Sequence, residues 1–135
     1  MMRTRKTRGF SLIEVLVSML IFSFGVLGLL GMHARAIESF SDSKYRTDAA
    51  LLAESLINEI WVNRANIAAY SYGGGTASSQ VAPWVAQVQK ALPRGAARVA
   101  VNGNTVQVTV SWQPPSANAT ATTHQHTEIA TIQNP

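Results

Sequence analysis

The sequence predicts an α+β protein: a long N-terminal helix followed by a small C-terminal antiparallel β-sheet head. Three observations predict it. The stretch from Val15 to Met32 carries no charge. Neither Pro nor Gly interrupts the chain from Met32 to Tyr72. The apolar period then changes to two between Ala97 and Trp112, on either side of Asn102-Gly103.

Composition bounds what this chain does. Its 135 residues are one domain's worth of material. Hydrophobic residues make up 47% and charged ones 13%, about half the ordinary charged share of ~25%. So apolar a chain is not a disordered charged tail. With no cysteine, a disulfide scaffold, a zinc ribbon and a cysteine nucleophile are excluded. The net charge of +4 invites a nucleic-acid reading. Its distribution removes that reading, because Arg3, Arg5, Lys6 and Arg8 crowd into the leader. The other seven cations balance seven acids. No nucleic acid is expected as a partner.

The uncharged stretch carries only Ser18 and Ser23 as polar side chains. A membrane-spanning helix needs ~20 apolar residues, and counting from Phe10 the run is broken by one carboxylate, Glu14. Four cations precede the span, so the positive-inside rule puts the N-terminus in the cytoplasm and the rest outside. Three readings compete. One is a plain membrane anchor. Another is a signal peptide, with Ala34-Arg35-Ala36 as its A-x-A site, although such apolar regions usually run 7–15 residues and lack an acid. The third asks why Glu14 is there. A carboxylate in a membrane costs about 2.5–3.5 kcal/mol and by default marks function. Its partner must be cationic and lie at the membrane. A free amine created by a cut before Phe10, on a neighbouring copy, qualifies.

Gly9-Phe10-Ser11-Leu12-Ile13-Glu14-Val15-Leu16-Val17 resembles the processing site of type IV prepilins. The resemblance implies cleavage by prepilin peptidase between Gly9 and Phe10, N-methylation of Phe10, and a role for Glu14 in assembly, pairing with an adjacent subunit's N-terminal amine. The continuation Ser18 to His33, with Gly25, Gly28 and Gly31, resembles the PilV family of type IV pilus minor pilins (type IV pilus modification proteins). A GspI-like minor pseudopilin of type II secretion has a very similar N-terminus and is the nearest alternative. A secreted or membrane-anchored binding module is the alternative from another class. The likeness is strong over residues 9–60 and weak beyond. It implies a type IV pilin-like fold and an inner-membrane, single-pass protein with a periplasmic head, later assembled into a pilus at the cell surface. It also implies priming of pilus assembly and a tip-associated complex, hence piliation, twitching motility and adhesion. The partners implied are other minor pilins (FimU, PilW, PilX and PilE-like), the major pilin and a tip-associated adhesin. No cofactor is implied. The expected organisation is a cleaved leader over 1–9, a transmembrane or filament-core half-helix over 10–32, an amphipathic half-helix over 33–66, and a periplasmic head over 67–135.

Gly25, Gly28 and Gly31 fit neither G-x-G-x-x-G nor G-x-x-x-G. Each costs a helix roughly 1 kcal/mol relative to Ala. They mark either a locally weak segment or small-residue helix packing. From Ala49 the apolar positions Leu52, Ala53, Leu56, Ile57, Ile60 and Trp61 step by three and four, one face of a helix running to about Asn66. A helix from Phe10 to Asn66 would be about 85 Å long. Leu52, Leu56, Ile60 and Trp61 are the expected contacts of the head.

Tyr70 to Gln80 reads as a loop by its glycines and serines, with Tyr70 and Tyr72 either contact residues or simply exposed. Val81 to Leu92 reads as a short helix with Trp84, Val85, Val88 and Leu92 on one face, begun by Pro83 and stopped by Pro93. Asn102-Gly103 signals a hairpin. A two-residue turn there pairs Val99 with Val106 and Ala97 with Val108, which keeps the apolar side chains on one face. Thr127 to Ile132 is the expected third strand.

Catalysis needs a nucleophile, a base and an orienter, or a metal. His124, His126 and Glu128 would share one side of a strand, but nothing closes a metal site around them. Solvated strand polarity is the favoured reading. Asn118-Ala-Thr120 matches a glycosylation sequon. Lys90, Arg94 and Arg98 form a modest basic stretch without a stacking platform. The expectation is an assembly protein and not an enzyme.

Overall fold

The computed structural model describes residues 11–115 and 122–133. The chain forms two compact units that divide between Ser39 and Phe40. The cleavage pair Gly9 and Phe10 and the sequon at Asn118 lie outside the described residues.

A single helix, α1 (Leu12–Val62), supplies the described regular structure of the first unit and begins the second. In the first unit every described residue is exposed. In the second, the three-four stripe Ala49, Leu52, Ala53, Leu56, Ile57 and Ile60 is buried. Trp61, expected under the head, is 39% exposed. The last core position is Ile60, and the next residue points about 100° around the helix.

α1 ends earlier than the expected Asn66. Asn63 leaves helical geometry at φ −106° and ψ 34°, and a 3₁₀ segment follows over Arg64–Tyr70. Asparagine side chains bond across the break. Asn63 Nδ2 donates to the Tyr70 hydroxyl at 3.1 Å, and Asn66 Nδ2 donates to Asn63 Oδ1 at 2.9 Å. The 3₁₀ segment delivers Tyr70 into the core at 1% exposure. Tyr72 forms a bridge with Val99, Tyr72 N–H donating at 2.9 Å and Val99 N–H returning at 2.8 Å. Neither tyrosine is therefore a free loop residue; each is spent on the head's own packing.

The short helix α2 (Ala82–Ala91) lies within one residue of its expected ends. It buries Trp84, Val85 and Val88, and Trp84 Nε1–H donates to the Leu52 carbonyl at 2.8 Å, tying α2 to α1. Strands β1 (Ala96–Asn102), β2 (Thr105–Trp112) and β3 (His124–Thr131) form an antiparallel sheet in the order β1-β2-β3. β3 starts three residues before the expected Thr127.

The hairpin register differs from the expected one. Val99 pairs with Val108, Ala97 with Val110 and Val101 with Val106. The turn residues are Gly103 and Asn104, because Asn102 pairs with Thr105. Gly103 has φ +58°, as the first central residue of a tight hairpin turn requires. This register sets Val101 against Val106, where the expected one would set it against Asn104. Val106, Val108, Val110 and Trp112 face inward and are buried, completing one core with the α1 stripe, α2, Tyr70 and Ile132.

Candidate functional site

Glu14 stands in the first turn of α1. The helix opens on Ser11, whose carbonyl accepts from Glu14 N–H at 2.9 Å and from Val15 N–H at 3.3 Å. A carboxylate in the first turn meets the positive end of the helix dipole, which favours it there. Around it the surface is apolar: Leu12, Ile13, Val15, Leu16, Val17, Met19 and Leu20 are all exposed. α1 contains a stretch long and apolar enough to cross a membrane, and none of that stretch is buried in the protein.

The two serines of the span satisfy themselves. Ser18 Oγ donates to the Glu14 carbonyl and Ser23 Oγ to the Met19 carbonyl, each at 2.7 Å. Back-bonding of this kind lets a hydroxyl sit in lipid without an unpaired donor. Glu14 has no such partner among the described side chains. It remains the one charged group of an apolar surface from Leu12 to Met32. A Cβ added at Gly25, Gly28 or Gly31 would meet nothing within 4 Å. These glycines therefore serve no close packing within the chain. Local helix weakness and packing against another helix both remain consistent with that.

Ala34-Arg35-Ala36 lies inside α1, with helix on both sides. In the head, His124, His126 and Glu128 do share one face of β3, opposite Trp112, Val110 and Val108. They are half-buried. No group of three or more His, Cys, Asp or Glu residues able to hold a metal ion occurs among the described residues. Lys90, Arg94 and Arg98 are exposed, and Arg94 Nη1 donates to Gln113 Oε1 at 3.0 Å.

Two arrangements escaped the sequence reading. Tyr70 donates its hydroxyl to Glu59 Oε1 at 3.1 Å while accepting from Asn63. Burial pushes the Tyr70 hydroxyl pKa up from its ordinary value; the Glu59 bond and charge push the same way, against the Asn63 bond. The second is Asp42, Arg46 and His124, which meet between α1 and β3. The Asp42–Arg46 spacing of four was a legible helix pair; its approach to His124 was not.

Residues 4–30 match a family model described as "Prokaryotic N-terminal methylation motif". The match spans Gly9, Phe10 and Glu14 and supports a type IV pilin-like or pseudopilin-like protein. Such a motif implies processing by prepilin peptidase and assembly with other pilins. The long apolar helix with a small three-stranded antiparallel sheet is consistent with the α+β type IV pilin-like fold. No curated protein and no solved structure matches the chain.

Proposed function

We propose that this chain is a minor pilin of the type IV pilus, of the PilV type, and an assembly subunit with no catalytic role. Prepilin peptidase cuts after Gly9 and methylates Phe10. The exposed apolar span holds the subunit in the inner membrane with its head in the periplasm. Glu14 then guides transfer into the growing filament by pairing with the N-terminal amine of a neighbour. The subunit works with other minor pilins, the major pilin and a tip-associated adhesin to prime assembly, and so serves twitching and adhesion. One observation carries the reading: Glu14 is the lone carboxylate of the exposed apolar stretch from Leu12 to Met32, inside the methylation-motif match. An unpaired charge in lipid calls for a cation, and the new amine is at the right level. The unbroken helix through Ala34–Ala36 favours this reading over ordinary secretion.

Intact mass and N-terminal peptide analysis of membrane-extracted protein tests it. A chain beginning at N-methyl-Phe10 is expected. A chain beginning at Ile37 would replace the proposal with ordinary export. Glu14→Ala should leave cleavage in place and reduce filament incorporation several-fold; normal piliation would refute the role given to Glu14. A type II secretion pseudopilin is the second reading, favoured by the same motif. Loss of exoprotein secretion, with twitching intact, in a deletion strain would select it.

A further inference from the structure

A second feature of the head has nothing to do with the membrane span. His124 opens β3 and is 28% exposed. Its ring stacks on Trp112 of β2, centroids 5.8 Å apart and planes 20° apart. From α1, Asp42 Oδ1 approaches His124 Nδ1 at 3.9 Å, and Arg46 Nη2 approaches the same nitrogen at 3.4 Å. Arg46 Nε already donates to the other Asp42 oxygen, Oδ2, at 3.1 Å. Oδ1 itself is buried and has no hydrogen-bond donor.

These contacts are unequal. With Nδ1 unprotonated, His124 accepts one long bond from Arg46 and leaves Oδ1 of a carboxylate buried without a donor. Such an orphan is costly. With Nδ1 protonated, the long bond is lost. Nδ1–H then faces an acceptor in Oδ1, 3.9 Å away. Arg46 keeps its bond to Oδ2. The exchange trades a marginal hydrogen bond for an ion pair with Asp42.

We propose that His124 is a proton-operated latch that docks β3 onto α1 through Asp42. The other groups facing it are few. Arg46 on α1 opposes protonation, Trp112 on β2 is uncharged, and His126 lies two residues along on the same face of β3. Lys44 is engaged with Asp48 at 3.5 Å. The sign follows from linkage. The docking gain is present while Nδ1 carries its proton and is lost when that proton leaves. The latch lies within the second unit, Phe40–Pro135, and stands whether or not the filament role does.

Amide hydrogen exchange of β3 in the full chain, held in detergent micelles, tests it at pH 7.5 and 5.5 after correction for intrinsic rates. Wild-type β3 should gain several-fold in protection at the lower pH. His126→Gln should gain equally. His124→Gln and Asp42→Asn should gain nothing. A flat wild-type response, or a gain that survives in either of the last two variants, would overturn the latch. If His124→Gln folds poorly, Asp42→Asn and the ¹⁵N shifts of the wild-type His124 ring decide. An Nδ1 that stays unprotonated at pH 5.5 is the refuting result.

Discussion

Tyr70 shows how far a single residue can depart from its local sequence. It precedes a run of Ser, Gly and Thr that reads as solvent-facing loop, yet it is 1% exposed. The polar hydroxyl is acceptable there because both its roles are used, donating to Glu59 and accepting from Asn63. Tyr70→Phe should destabilise the head by about 1 kcal/mol, the net worth of a typical intramolecular hydrogen bond. Urea unfolding at neutral pH reads this directly. The raised hydroxyl pKa adds an alkaline signature. The folded state keeps the proton longer than the unfolded chain, so this contribution is whole below pH ~10 and fades as pH rises beyond it. The gap between wild type and Tyr70→Phe should therefore narrow above pH 10. A gap that stays constant would mean the hydroxyl titrates alike in both states. No periodicity announces such a residue. Its burial depends on Asn63 ending α1 and on a 3₁₀ segment returning the chain to the core.

At the scale of elements, what sequence shows and what it hides can be separated physically. The α1 stripe, α2 and both hairpin strands were legible, because burial on one face imposes a period on apolar residues. The hairpin register was not. Moving the turn from Asn102-Gly103 to Gly103-Asn104 shifts the pairing by two residues. A shift of two keeps every side chain on its face, whereas a slip of one would invert the set. The apolar pattern is thus blind to the difference, and the choice falls to Gly103 and to the Val101–Val106 pair. Gly103→Ala should cost about 1–2 kcal/mol, the penalty for a side chain in left-handed backbone. Gly95 is constrained by space instead. A Cβ there would lie 2.6 Å from the Val88 carbonyl and 3.0 Å from that of Leu92. Gly95→Ala should cost about 1–3 kcal/mol, as overpacking does. Gly73→Ala meets open space and should be close to neutral. Thermal unfolding of the three variants ranks them. A neutral Gly95→Ala would show that α2 and β1 can move apart freely.

The whole molecule divides its apolar residues between two solvents. Every buried hydrophobic among the described residues is Ala49 or later, and the large apolar side chains from Leu12 to Met32 are exposed. Burial is what pays the conformational entropy of a fold, and none of the buried hydrophobics among the described residues comes from the first unit. This split was legible in composition alone, since an uncharged run of that length does not serve a 135-residue core. The site was legible for the same reason: Glu14 stands out only because its neighbours are uncharged. A fragment of residues 33–135 should therefore be soluble without detergent and unfold cooperatively. Its midpoint should fall within a few degrees of the head transition in the full chain. Within it, Leu56→Ala should cost about 2–5 kcal/mol, since Leu56 is fully buried at the centre of the stripe. Leu51→Ala, on the exposed side of the same helix, should cost little. Failure of the fragment to unfold cooperatively would mean that the apolar half of α1 contributes to the head after all. Glu14 would then sit on a structural element of the fold and not on a free membrane-facing helix, and its role in assembly would have to be tested apart from stability.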